Sequence, residues 1–296
     1  MTHVEDELNT QPECWTRVAA EAAQHADALP AQGERVAFVG CGTSYFMAQA
    51  AAALRERAGQ GETDAFAASE FPHRRAYDRV VALTRSGTTT EVLGLLGALR
   101  GHTRTTAITA DPDTPVMAAA NDVVVLDFAD EKSVVQTRFA TTALTLLRAR
   151  LGLHTEAAVA DARTALEEPL PEGLVGSDQF TFLGRGWTVG LANEAALKMR
   201  EAALAWSEAY PAMEYRHGPI SVTTRGTATW MLGEAPQGLA AQVRETGGVW
   251  VARGLDPLAE LVRAQRLAVA VAAARGLDPD RPRHLTRSVV LDSNDR

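Results

Sequence analysis

Val36-Ala37-Phe38-Val39-Gly40-Cys41-Gly42-Thr43-Ser44 decides the fold. An apolar run passes directly into a turn of small and hydroxylated residues, and the residues beyond Thr43 read as a helix. The same order recurs downstream: Val80-Val81-Ala82-Leu83 leads into Thr84-Arg85-Ser86-Gly87-Thr88-Thr89-Thr90-Glu91. Strand, turn and helix in this order build an open parallel sheet, in which both turns fall at the carboxyl edge, where ligands bind. Hydroxyls and backbone N–H groups at a helix N-terminus suit a phosphate dianion. Either turn alone is explained as well by ordinary helix capping. Two at matching places favour one shared phosphate cradle.

Other phosphate motifs do not fit. A dinucleotide fingerprint starting at Gly40 needs glycine at position 45, where Tyr45 stands. The G-x-x-x-x-G-K-[ST] loop of nucleoside triphosphate sites does not occur.

Working outward, Leu8, Trp15, Val18, Ala19 and Ala22 predict a leading helix within 4–29, broken by Pro12. Strands are expected at 36–40, 63–67, 80–84, 105–109 and 122–126, with helices at 44–58, 89–100, 114–120 and 137–151. A connecting helix and a Pro/Gly loop fill 153–178. Phe180-Thr181-Phe182-Leu183-Gly184-Arg185-Gly186 then repeats the strand and Gly-x-Gly pattern of 36–42. A helix at 190–206, strands near 228–232 and 248–252, and helices at 237–245 and 256–275 complete a second unit. The chain reads as a divergent duplication, with units at 1–152 and 153–296. The second half offers Glu234-Ala235-Pro236-Gln237-Gly238 where the first has its serine turn, so one phosphate site is expected, in the first half.

The 296 residues are 46% hydrophobic and 22% charged, an ordinary globular composition. A net charge of -8 without a basic stripe argues against nucleic acid as a partner. No run of 18 apolar residues occurs, so no membrane span is expected, and the acidic start lacks the apolar core of a signal peptide. Cys14 and Cys41 make no disulfide framework, which leads to the expectation of a reducing, cytoplasmic setting. The seven histidines lack zinc-ligand spacing, and no metal is expected.

These runs resemble the sugar isomerase (SIS) family, including the isomerase half of the glucosamine-6-phosphate synthases and the aminosugar-phosphate deaminase/isomerases. The resemblance covers Val36 to Leu291. It rests on the two turns, on Gln136-Thr137-Arg138-Phe139, on Glu194-x3-Lys198-x2-Glu201, on Glu208-Ala209-Tyr210, on Glu214-x2-His217-Gly218-Pro219, and on Asp280-x-Pro282-Arg283-x-Leu285-x-Arg287-Ser288-Val289. The implied fold is α/β, two tandem doubly wound parallel-sheet domains of flavodoxin-like three-layer αβα type. The implied site holds a sugar 6-phosphate through Thr43, Ser44, Thr84, Ser86 and Thr89, with Cys41, Gly42 and Thr137 beside it. Glu201 is the implied base near sugar C1 and C2. Glu194 and Lys198 would line the sugar pocket, and His217, from the neighbouring subunit of a homodimer, would assist ring opening. No cofactor is implied.

Three departures bear on the reaction. The family's usual Gln in the serine turn is Arg85, whose guanidinium is expected to give the phosphate a bidentate partner. The synthases' Schiff-base lysine aligns with Arg287, which is expected to contact the substrate but stays protonated and forms no imine. The chain also lacks a glutaminase domain, so ammonia from glutamine is not expected.

Read without the family, Glu194, Lys198 and Glu201 share one helical face, and such a face is most often a solvated ion-pair stripe. The Ala- and Leu-rich helix around them suggests burial instead. A buried carboxylate facing the sugar would have a raised pKa and could act as a general base. C2 deprotonation of an open-chain aldose serves isomerisation, deamination or loss of the C3 hydroxyl alike. His73, His102, His154 and His284 carry no assignment, Cys41 reads as a small turn residue, and Trp187 and Trp206 read as core. The expected activity is deamination with isomerisation of a hexosamine 6-phosphate. Dehydration is the alternative within enzymes, and a non-catalytic sugar-phosphate sensor is the alternative outside them.

Overall fold

The computed structural model describes residues 2–291. Where one broken helix was expected at the start, two occur: α1 (His3–Asn9) and α2 (Gln11–Glu21), the latter followed by a single 3₁₀ turn at Ala22–His25. Pro12 lies in the first turn of α2, where its missing N–H costs no hydrogen bond. The first unit then runs β1 (Val36–Gly40), α3 (Thr43–Arg57), β2 (Thr63–Ala67), β3 (Arg79–Leu83), α4 (Thr90–Leu99), β4 (Arg104–Thr109), α5 (Val116–Ala119), β5 (Asp122–Val125) and α6 (Arg138–Arg150). After α7 (Glu156–Glu167) comes the second: β6 (Gln179–Gly184), α8 (Thr188–Ala203), β7 (Trp206–Pro211), β8 (Thr227–Met231), α9 (Leu239–Glu245), β9 (Val249–Val251) and α10 (Pro257–Ala274).

Both sheets are parallel throughout. The first has the order β2-β1-β3-β4-β5 and the second β7-β6-β8-β9. With β6 matched to β1 the two orders coincide, apart from a fifth strand in the first. The duplication extends to backbone detail. Gly42 and Gly186, third in the two Gly-x-Gly turns, have φ of +54° and +55°. A Cβ on Gly40 would lie 2.6 Å from the backbone of Ser44, and one on Gly184 would strike the backbone of Thr188. Each turn therefore needs its glycines.

Strand side chains alternate between two cores, as the pleat requires. Val36, Phe38, Val81 and Leu83 face inward, joining helices α3, α6, α8 and α10 and, across them, Phe180, Phe182 and Trp230 of the second sheet. Ala37, Val39, Val80 and Ala82 face the opposite way, beneath α4 and α5. A smaller core under α9 includes Leu183, Met231, Leu239 and Val243. The helices between the sheets thus share one core.

Two expectations are corrected in the second half. The helix expected at 190–206 ends at Ala203, where Leu204 turns left-handed with φ +49°. Residues 206–211 are the edge strand β7, and Trp206 is 71% exposed rather than core. Among the described residues, no helix is long and apolar enough to cross a membrane.

Candidate active site

The strand order of the first sheet reverses between β1 and β3, which places the turns 40–44 and 84–89 side by side at the carboxyl edge. Such a switch point is where open α/β sheets bind ligands. In the first turn, Gly42 caps α3, and the Thr43 and Ser44 side chains are buried. The Cys41 carbonyl accepts from the Ser44 amide at 3.1 Å. Burial and the nearby Glu91 carboxylate push the Cys41 thiol up to about 11, which removes it as a nucleophile at neutral pH.

In the second turn, Gly87 adopts φ +63°, and a Cβ there would collide with the Thr114 hydroxyl. The Ser86 hydroxyl accepts from the Thr88 amide at 3.3 Å and from its hydroxyl at 3.1 Å. Thr89 is the N-cap of α4 but makes no side-chain cap bond. The Thr84 hydroxyl is buried and has no partner among the described residues. Buried polar groups are normally hydrogen-bonded, so this hydroxyl stands out within the turn.

The expected role of Arg85 is not met. Its guanidinium is buried and turned away from the turn's hydroxyls. Nη1 donates to the Ser133 carbonyl at 3.0 Å and to Glu131 at 3.4 Å. Nη2 donates to the carbonyls of Val134, 3.1 Å, and Arg287, 3.2 Å. Arg287 is likewise engaged elsewhere, donating to the Asp130 carboxylate at 2.5 Å and to the Glu131 carbonyl. The Thr137 hydroxyl donates to Glu131 at 2.9 Å. These three side chains are thus engaged by carboxylates and carbonyls of the 130–134 loop and, for Arg85, by the carbonyl of Arg287.

Glu131 was not singled out from the sequence. It also receives the amides of Thr137, 2.6 Å, and Arg138, 2.8 Å, and so organises the loop before α6. From α1, Glu7 accepts the amides of Lys132, 2.6 Å, and Ser133, 3.1 Å. No periodic pattern marks either residue; an acid within an apolar helix face, as Glu7 is beside Val4 and Leu8, is the one available signal.

From the second half, α8 carries Glu194, Lys198 and Glu201 to the first turn. The stripe is buried, not solvated. The Thr43 hydroxyl accepts from Lys198 Nζ at 2.9 Å and donates to Glu194 Oε1 at 3.3 Å. Lys198 pairs with Glu194 at 3.3 Å and also donates to Glu201. Glu194 and Lys198 are closed to solvent, while the Glu201 side chain keeps 18% of its surface exposed. Glu194 and Lys198 thus contact Thr43 and Glu201, and Glu201 alone of the three keeps part of its surface exposed.

The titrations follow from that placement. Burial pushes Glu194 up to about 8, with the Glu201 charge adding to the rise and Lys198 opposing it. Burial works against the Lys198 ammonium, yet the flanking Glu194 and Glu201 outweigh it and hold its pKa above the usual lysine value. The raised carboxyl expected of the base is thus found on Glu194.

His217 closes a 3₁₀ turn at Glu214–His217 and is exposed. Among the described residues it makes no hydrogen bond to Glu201. Glu208 instead accepts from Trp206 Nε1 at 3.2 Å and from the Tyr210 hydroxyl at 3.0 Å.

The sequence profile of the SIS domain matches residues 31–151. The glutamine–fructose-6-phosphate aminotransferase (isomerizing) of Methanothermobacter thermautotrophicus is 26% identical over 308 residues, covering 88% of this chain and 52% of that protein. The chain thus spans about half the length of the curated relatives it matches. Among solved structures, a glucosamine-6-phosphate deaminase of Thermotoga maritima superposes with a TM-score of 0.82 at 26% identity, covering 98% of this chain and all, 100%, of the other. The C-terminal domain of a glucosamine-fructose-6-phosphate aminotransferase from Francisella tularensis shares the fold, with a TM-score of 0.76 at 19% identity over 95% of this chain and 98% of that one. The chain therefore carries a SIS domain at residues 31–151 and is homologous to the isomerase region of these aminotransferases and to phosphosugar isomerases and deaminases.

Proposed function

We propose that the chain is an enzyme acting on a hexosamine 6-phosphate, glucosamine 6-phosphate or its N-acetyl form, by removing the C2 proton. The unit at 1–152 holds the phosphate and the unit at 153–296 supplies the base. The observation that supports this reading is the Thr43–Lys198–Glu194–Glu201 cluster, which joins the first turn to Glu201, the member of the cluster that keeps part of its surface exposed. Ser44, Thr84, Ser86 and Thr89 take the phosphate oxygens. Glu201 takes the C2 proton of the open-chain sugar; the C–H electron pair forms the C1–C2 double bond while the C1–O1 π pair moves to O1, which takes a proton from water. Return of the proton to C1 leaves an imine at C2 of the free amino sugar. Water hydrolyses that imine to a ketose 6-phosphate and ammonia. His217 enters from a second copy of the chain and assists ring opening.

A second reading is favoured by Arg287, which cannot form the synthases' imine and whose side chain is engaged by Asp130. Elimination of the C3 hydroxyl from the same C2 carbanion would give an enal. One experiment separates the outcomes: incubate the chain with glucosamine 6-phosphate and with N-acetylglucosamine 6-phosphate, and follow ammonia, ketose and ultraviolet-absorbing enal. Deamination gives ammonia with ketose; dehydration gives the enal alone. Silence in all three assays removes the enzyme and leaves a sugar-phosphate sensor. Glu201→Gln should abolish turnover, and normal turnover by that variant would overturn the assignment of the base.

A further inference from the structure

We propose that Arg85 is a positioning residue that locks the carboxyl-terminal segment 287–291 onto the serine turn. The proposal rests on the reading of that turn as the phosphate-binding loop. Arg85 is 1% exposed, and its two terminal nitrogens contact four acceptors on two other stretches of chain: Glu131, Ser133 and Val134 in the loop before α6, and the Arg287 carbonyl. From Arg287 onward the segment follows the turn. The Ser288 and Thr88 hydroxyls lie 2.8 Å apart, the Thr90 amide donates to the Val289 carbonyl at 3.1 Å, and the Leu291 amide donates to the Thr90 hydroxyl at 2.9 Å.

Apolar burial does not hold this segment. It has no regular secondary structure, and Val289 and Val290 are 51% and 66% exposed. Polar contacts hold it: at its start the Arg287 side chain pairs with Asp130 and donates to the Glu131 carbonyl, and Arg85 binds the Arg287 main-chain carbonyl from the side of the serine turn. The bonded residues Thr88 and Thr90 flank Thr89, so the same contacts fix the turn that presents Ser86 and Thr89. A guanidinium is needed because its planar fork reaches several acceptors at once, whereas an ammonium is a single point charge. A buried Arg–Glu pair that only supported the loop before α6 would have no need of the Arg287 carbonyl.

The test is tryptic cleavage after Arg287, followed by mass spectrometry on the folded chain without ligand. Arg85→Lys keeps the charge beside Glu131 and should raise cleavage there by about five-fold relative to the other arginines, because cleavage tracks the open population. An unchanged ratio, or a parallel rise at all sites, would overturn the proposal. Adding glucosamine 6-phosphate should slow cleavage after Arg287 in the wild type and less so in Arg85→Lys. Failure of that sugar to bind the wild type would count against the phosphosugar reading, while the ligand-free ratio would still decide the role of Arg85. If Arg85→Lys does not fold, hydrogen exchange of the wild type decides. The amides of Thr90 and Leu291 should exchange at one rate through one shared opening, and rates about ten-fold apart would overturn the coupling.

Discussion

At the residue scale, the α8 cluster sets a sign that can be measured. Burial raises Glu194 above its unfolded value, so the folded state binds the extra proton. Stability from that proton is fully present below the unfolded carboxylate range and is lost as pH rises toward about 8. Glu194→Gln keeps the shape without the titration. Urea unfolding at pH 5 to 8 should show wild-type stability falling with pH relative to Glu194→Gln, by at most about 1.4 kcal/mol per pH unit. Parallel curves would show that Glu194 does not hold the proton. A second prediction concerns the cradle. Ser86→Ala and Thr89→Ala should each weaken glucosamine 6-phosphate by about 1–3 kcal/mol, the cost of a charge-assisted hydrogen bond, and leave glucosamine unaffected. Calorimetry with both sugars checks this, and equal losses would count against a phosphate role for these hydroxyls.

At the element scale, the Thr43–Lys198–Glu194–Glu201 cluster exists because α3 and α8 lie close together. Gly190 makes this possible: a Cβ there would stand 2.5 Å from the Phe46 carbonyl and 2.8 Å from the Ala50 amide of α3. Gly190→Ala would gain helix propensity worth up to about 1 kcal/mol. The clash is with backbone, which cannot rotate aside, so the helices must separate at a cost of about 1–3 kcal/mol. Net loss of stability is expected, and activity should fall further because Thr43 meets Lys198 across the same seam. Gly94 sits on the exposed face of α4, and a Cβ added there would meet nothing within 4 Å. Gly94→Ala should therefore stabilise by about 0.5–1 kcal/mol. Thermal unfolding of the two variants should shift in opposite directions. The elements themselves were legible where the pattern is strong. Continuous apolar runs marked β1 and β3, the likeness of residues 180–186 to residues 36–42 marked β6, and small residues marked their turns. β7 was missed because Trp-Ser-Glu-Ala-Tyr-Pro carries an acid and a proline, which an edge strand tolerates and a central one does not. The two turns and their hydroxyls were legible, but the partners of Arg85, Thr137 and Arg287 were not. Those partners are a loop carboxylate and carbonyls, and carbonyl positions leave no trace in sequence.

At the scale of the whole molecule, the two halves repeat one topology and, in the function proposed above, divide the work. The first kept a serine turn and the second kept charged residues on α8, so the proposed site exists only where they meet. The surface beside β7 suggests that a third contributor is needed. Trp206, Met213 and Val222 are 71%, 47% and 51% exposed along the edge strand and the turns after it, the stretch that also carries His217. Exposed apolar groups gathered on one stretch favour an interface, and a two-fold contact between copies would pair the same surfaces. If His217 serves the partner's site, Glu201→Gln and His217→Asn chains are each inactive alone, but a mixed dimer contains one site with both native residues. Co-refolding the two variants at equal amounts gives about half mixed dimers on random pairing, each with one intact site of two, so activity should return to about a quarter of wild type. Verified mixed dimers that stay inactive would place His217 in the site of its own chain.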